Sequence, residues 1–242
     1  DGTIGVFCHE LGHVFGLPDL YDYGDDSKGV GAWSIMAAGS WLGPGNNGAK
    51  PAHFDAWSKT FLGWVKPDVK KADETGVAIP QVETNKNILK LWTKGESANE
   101  YFLVENRQKT GFDSYLPGSG LLIWHVDESV TNNNNQSRYK VAVEQADGLG
   151  QLEGDVNSGD AGDPWPGASV RRTFTEATTP NSKSYAGAVT SVKVTNISDS
   201  GAGMTADIKV GAALDQKVIV EGYVRDSLSA AIVDVTISGY AG

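Results

Sequence analysis

His9, Glu10 and His13 stand in the pattern His-Glu-x-x-His, with Gly16 and Asp19 following at fixed distance. On a helix, residues four apart share one face about a turn from each other, so two imidazoles can grip one small cation. Zinc takes imidazole nitrogen at about 2 Å, and in hydrolytic sites it accepts three protein ligands and leaves a position for water. Glu10, one step past His9, points off the ligand face yet stays within reach of that water. It is placed to take the proton as the bond to a carbonyl forms. Gly16 lets the backbone leave the helix in a turn that a residue with a Cβ resists, and Pro18 keeps the helix from resuming. The chain can then bring Asp19 back to the metal as third ligand. The plainer alternative is a core helix that happens to carry two histidines, with Asp19 a turn carboxylate.

Few helical segments are available to hold these groups. Residues 4–15 have apolar side chains at helical spacing and form the site's helix. Residues 51–61 read as a second helix, with Pro51 near its first turn and Gly63 beyond its end. Strand-like runs follow at 77–82, 88–92, 101–104, 121–126, 141–144, 189–197 and 204–210, separated by Gly-, Pro- and Ser-rich turns. The asparagine run 132–135 is polar and aperiodic and is expected to be an exposed, mobile loop. The fold class is α+β: residues 1–75 as a helical lobe with the metal helix, then 76–211 as a β-rich region of the same unit. Alternation resumes at 218–226 and 231–238, which makes 212–242 the start of a further β-sandwich or two more strands of the main domain. That hairpin is weakly similar to the first one of carboxypeptidase-regulatory-like domains.

Met36, in Trp33-Ser34-Ile35-Met36-Ala37-Ala38-Gly39, sits in a small-residue turn downstream of the metal motif. It resembles the Met-turn that forms an apolar floor beneath metzincin metal sites. Taken with His9–His13, Gly16–Asp22, Asp55–Lys59, Leu62-Gly63-Trp64, Glu100–Arg107, Gly118–Asp127 and Gly159–Gly167, the chain resembles secreted bacterial metallopeptidases of the immune inhibitor A type. The resemblance runs over roughly residues 1–210. It implies a zincin/metzincin-like lobe and zinc-dependent endopeptidase activity on protein or peptide substrates, with His9, His13 and Asp19 as zinc ligands and Glu10 as base. Members of that family carry an upper subdomain ahead of the zinc helix. With only eight residues before His9, the chain is expected to be a fragment without it, weak or inactive alone, with an apolar patch open beside the metal.

Thirty acidic residues against twenty basic ones give a net charge of −10, which disfavours nucleic acid or an anionic membrane as partner. No apolar run is long enough to span a bilayer, and a secreted or extracellular home is expected. The oligomeric state is not legible. Cys8 is the only cysteine, which excludes an intramolecular disulfide; it reads as a small core residue. Two oxygen-rich turns are candidates for calcium: Asp22, Asp25 and Asp26 around Gly24, and Asp155, Asp160 and Asp163. His125, in an apolar strand, reads as a packed, hydrogen-bonded histidine, and His53 as a non-ligand. Tyr21 and Tyr23 could donate to a developing oxyanion or simply pack. A non-catalytic peptidase-like binding or adhesion module with a structural metal is the alternative function. It leaves the intact Glu10 without a purpose and requires a fourth protein ligand. A metal-dependent hydrolase of non-peptide substrates also stays open.

Overall fold

In the computed structural model, residues 2–211 are described in full, and the backbone of strands 218–225 and 231–239 is described beside them. Two mainly antiparallel sheets and a helical lobe make up residues 1–211. Helix α1 spans Ile4–Val14 and helix α2 spans Ala56–Phe61. Strands β1 (Asp68–Val69), β3 (Leu89–Leu91), β4 (Glu100–Arg107), β5 (Gly120–Asp127) and β6 (Val141–Val143) form one sheet in the order β1-β3-β4-β5-β6. Only the β1–β3 pair is parallel. Strands β2 (Glu74–Pro80), β8 (Gly203–Lys209) and β7 (Lys193–Thr195) form a second, antiparallel sheet.

The larger sheet is covered on both faces, and its side-chain alternation decides what each face does. Tyr101 and Leu103 of β4, with Leu122, Trp124 and Val126 of β5, pack against Leu20, Trp33, Met36 and Trp57 of the helical lobe. Phe102 and Val104, with Leu121 and Ile123, pack instead against Ile79, Trp165, Phe174, Val194 and Met204 beneath the smaller sheet. Each of these fully buried large apolar side chains contributes roughly 1.5–3 kcal/mol. Two-sided burial explains why β5 reads as an unbroken apolar run although its neighbours are antiparallel.

Glu105 and Arg107 share the face of Tyr101 and Leu103, so β4 delivers charges under the helical lobe. Arg107 is fully buried and forks onto Asp113, with Nε to Oδ2 and Nη2 to Oδ1 both at 2.8 Å. Its Nη1 donates to Glu105 Oε1 (3.1 Å) and to the carbonyl of Trp33 (3.2 Å), while Lys59 Nζ meets Glu105 Oε2 at 2.6 Å. Burial opposes the guanidinium's charge, but Asp113 and Glu105 outweigh it and raise its pKa. Nearby Glu83 is pushed up to about 7 by burial. Arg107 and Lys59 thus lie against Glu105 and Asp113 in the protein interior.

On the other face His125 Nε2 lies 2.8 Å from Glu100 Oε1 and Nδ1 lies 3.0 Å from Glu144 Oε1, with Tyr185 stacked on the ring at 4.2 Å. Burial disfavours the charge, but the two carboxylates prevail and hold the pKa of His125 above its ordinary value. It is the packed, bonded histidine that its strand suggests.

The second helix is shorter than the sequence pattern indicates. Residues 51–55 are not helical, because buried Asp55 takes the N-cap position and accepts from Ser58 N at 2.8 Å. The asparagine run is also tied down: Asn133 is fully buried, and its Nδ2 donates to the carbonyls of Leu20 (2.9 Å) and Val141 (2.8 Å). An asparagine that bonds two separated backbones stands in for a missing strand, which polarity alone does not reveal.

Residues 212–242 form a separate unit in which β9 (Val218–Arg225) and β10 (Ala231–Gly239) pair antiparallel. Residues 212–217, 226–230 and 240–242 lie outside the described residues, and the expected start of a sandwich at 212–242 falls in part on them. Among the described residues no helix is long and apolar enough to cross a membrane.

Candidate metal centre

Helix α1 carries His9 and His13 on one face and ends in a turn that sets the second of them. Gly16, at φ +92°, donates its N–H to His13 O (2.9 Å), and Leu17 N reaches back to Gly12 O (3.0 Å). These crossed bonds form a Schellman closure, and they present the Leu17 carbonyl to His13 Nδ1 at 2.8 Å. His9 Nδ1 meets the carbonyl of Ile35 at 2.8 Å. A carbonyl can only accept, so both Nδ1 atoms carry a proton, and in the neutral imidazoles that leaves the lone pair on Nε2.

Those two Nε2 atoms are 3.1 Å apart, and Asp19 Oδ1 lies 3.0 Å from the first and 3.2 Å from the second. Asp19 Oδ1 is buried and has no hydrogen-bond partner. Three acceptors with no hydrogen between them repel unless a cation lies among them. Donors about 2.0–2.1 Å from a tetrahedral ion stand about 3.3 Å apart, close to the spacing seen here. The donor set, two imidazole nitrogens and one carboxylate oxygen, therefore fits zinc.

Tyr23 Oη donates to Asp19 Oδ2 at 2.5 Å, which turns Oδ1 toward the histidines. That bond, with burial adding to it, pushes the Tyr23 hydroxyl up to about 12. Tyr21 stacks on His9, with ring centroids 6.4 Å apart. We expect Tyr23→Phe to fold normally but to bind zinc about 10–100-fold more weakly, read by competition with a chromogenic chelator. Wild-type affinity in that variant would leave the tyrosine without a positioning role.

Met36 lies directly under the helix: a Cβ on Gly12 would meet its Sδ at 2.4 Å. The segment before it is fixed at nearly every residue. Trp33 O takes Arg107, Ser34 Oγ donates to Asp55 Oδ2 (2.6 Å), Ile35 N donates to His53 O (3.2 Å), and Met36 O accepts Leu20 N (2.9 Å). Leu20 follows Asp19, and its own carbonyl is held by Asn133. Arg107, Asp113, Asp55, Tyr23 and Asn133 thus support the candidate ligands, and sequence reasoning assigned them no such part. The one available signal was charge in an otherwise apolar strand, Glu105-Asn106-Arg107.

Glu10 is exposed and lines a cleft of about 400 Å³ together with Val6, His9, Tyr21, Asp22 and Trp41. The other arc of α1 is apolar and open, with Phe7, Leu11 and Val14 all exposed. Cys8 packs at the edge of the core beside a separate apolar cavity of about 290 Å³ that also includes His53, Phe54 and Trp64. His53 lies ahead of α2, where burial pushes its pKa down, and it approaches Asp113 rather than the metal ligands.

The acidic turns differ from the expected ligand sets. Asp155 pairs with Lys28 at 2.5 Å, and the carboxylate that joins Asp160 and Asp163 is Asp147. Asp147 lies thirteen residues before Asp160, outside the turn itself. Asp22 accepts from Gly24 N (2.7 Å) and Ser27 Oγ (3.0 Å), and Asp22, Asp25 and Asp26 do not converge as a ligand group.

Comparison with known proteins covers the first quarter of the chain. Residues 1–65 match the family described as the immune inhibitor A peptidase M6 catalytic domain. Over 64 residues (26% of the chain), 47% are identical to the pre-pro-metalloprotease PrtV of Vibrio cholerae serotype O1 (strain M66-2). The same stretch is 43% identical to immune inhibitor A of Bacillus thuringiensis subsp. alesti. The aligned stretch spans 7% and 9% of the length of these two relatives. Residues 1–65, which hold α1, Asp19, Met36 and Asp55, are thus similar to the catalytic domain of the immune inhibitor A peptidase M6 family.

Proposed function

We propose that this chain carries the catalytic centre of an extracellular zinc-dependent endopeptidase acting on protein or peptide substrates. The convergence of His9 Nε2, His13 Nε2 and Asp19 Oδ1 within 3.2 Å, with Asp19 Oδ1 otherwise unpartnered, is the observation that carries this reading. The likeness of residues 1–65 to metallopeptidase catalytic domains supports it at the level of the family. On this reading the lobe is zincin-like and the Met36 segment is its Met-turn.

His9, His13 and Asp19 hold the ion, and the carbonyls of Ile35 and Leu17 keep both imidazoles in the metal-binding tautomer. Zinc held there supplies Lewis acidity, making a water acidic and polarising the scissile carbonyl. Glu10 stands beside His9 on the cleft wall. Its carboxylate accepts the proton of the attacking water and returns it to the nitrogen of the leaving amine. Asp19 adds a negative charge that a third histidine would not, and Tyr23 draws part of it away through Oδ2.

The test is metal content alongside hydrolysis of casein by the natively produced protein. His13→Ala is expected to lose at least about tenfold in zinc affinity and to lose chelator-sensitive cleavage with it. Asp19→Asn should weaken binding less, since the amide keeps an oxygen donor. Unchanged zinc content in His13→Ala would sink the ligand assignment. Full zinc binding in the wild type without cleavage of any unfolded protein would favour the binding-module reading.

A further inference from the structure

Ile4 and Cys8 of α1 line a cavity of about 290 Å³ together with Ile35, Phe54, Trp64 and Phe112. Neither the candidate metal ligands nor Glu10 borders it. At the roughly 30 Å³ that one water takes in the liquid, the space corresponds to about ten heavy atoms. Its lining is almost wholly apolar, and the charged or basic side chains on it, His53 and Lys59, are of one sign. No aspartate or glutamate lines it, although the chain carries thirty acidic residues against twenty basic ones. Lys59 is engaged, with Nζ 2.6 Å from Glu105 Oε2. His53 is not: its Nδ1 stays 4.0 Å from Asp113 Oδ2, beyond hydrogen-bond reach, and among the described residues the ring has no other partner. Burial pushes its pKa down, so near neutrality the ring is uncharged and keeps one N–H to donate. Exposed Lys50 reaches over Phe112, with Nζ 5.6 Å from the ring centroid, and among the described residues it pairs with no carboxylate.

We infer that this cavity binds a small apolar carboxylate, its hydrocarbon body against Phe54, Trp64 and Phe112 and its charge taken by His53 and Lys50. A concave apolar lining with a few polar groups at one place is the usual form of a small-molecule site. The apolar body gains by leaving water, and the two free donors match one carboxylate. An amine finds no acceptor acid on the lining and meets Lys50 as a like charge, while a fully hydrophilic anion gains nothing from the aromatic walls. The bound molecule touches Cys8, next to His9, and Ile35, whose carbonyl holds His9 Nδ1 at 2.8 Å, and leaves the metal's own donors free. The inference stands whether or not the metal centre is catalytic.

The probe is phenylpropionate, compared with phenylpropanol and phenylpropylamine, titrated into zinc-loaded and chelator-treated protein and read by tryptophan fluorescence. In both forms phenylpropionate should bind saturably with a dissociation constant of roughly 0.1–1 mM, the range open to a ligand of about ten heavy atoms. At about tenfold excess over that constant it should slow alkylation of Cys8 by iodoacetamide about tenfold, by mass action. The alcohol should bind roughly three- to tenfold more weakly and the amine more weakly still. Lys50→Gln should weaken the carboxylate about two- to fivefold and leave the alcohol unchanged, whereas Phe112→Ala should weaken both about three- to tenfold. Both positions are exposed, so neither change removes a core contact. Absence of saturable binding up to about 10 mM overturns the site, well above the expected range. An alcohol that binds as tightly as the carboxylate overturns it too. Binding that needs zinc and vanishes in His13→Ala would place the carboxylate on the metal and equally overturn it.

Discussion

Glu10→Ala is expected to keep its zinc and lose peptide hydrolysis by about 10²–10⁴-fold, the range a positioned general base supplies. In barrier terms that is about 2.7–5.5 kcal/mol. The separation of the two effects follows from position. Glu10 is exposed on α1, pairs with no described base, and neither ligates nor bonds to His9, His13 or Asp19. Truncation therefore removes no donor from the metal and no partner from the core, and alanine favours the helix. Zinc analysis and turnover on casein, measured on the same preparation, decide the matter. Near-native turnover in a zinc-replete Glu10→Ala protein would remove Glu10 from the mechanism. Glu10→Gln should fall as far, because the amide keeps the shape and cannot accept the proton.

The second large effect lies in the protein interior. Arg107→Met should lower stability by about 3–5 kcal/mol, the usual cost of removing one partner from a buried ion pair. For a chain of this size that corresponds to a melting temperature lower by roughly 6–20 °C. Methionine replaces the bulk of the stem but leaves Asp113 and Glu105, both fully buried, facing each other with only Lys59 to offset them. The Trp33 carbonyl also loses its donor. Zinc affinity should drop with stability, since Trp33 leads into the segment whose Ile35 carbonyl orients His9. Thermal melts with and without zinc would check both parts. A variant melting within a degree or two of wild type would show that the network contributes little.

The convergence of His9, His13 and Asp19 was legible because one helical turn and one Gly-Leu-Pro turn specify it locally: with Glu10 they lie within eleven residues. The strands were legible from apolar runs, although their ends shifted by up to four residues, and the short β1 gave no signal. What could not be read is what comes from afar. Asn133, in a polar run with no period, serves as a buried clamp because two backbone segments happen to pass it. Asp147 replaces Asp155 because the chain crosses itself there, and only the fold decides which carboxylate lies opposite Asp160 and Asp163. Asp55 caps α2 through Ser58 N, and its bond from Ser34, across 21 positions, is the part that only the fold reveals.

The long separation of these clamps bears on the order in which the protein folds. Asn133 meets Leu20 across 113 positions, and Trp33 meets Asp163 across 130. Contacts this distant pay loop-closure entropy before they return any stability, so they form late and slow the search. Helix α1 can therefore coil early and the Asp19 turn can close locally on Met36, but the Asn133 clamp and the Trp33–Asp163 contact wait for distant segments. Newly made chains should collapse with two histidines on a nascent helix and acquire tight zinc binding only as the last cooperative step. In a cell this delays the assembly of the candidate metal centre until the body around it has closed.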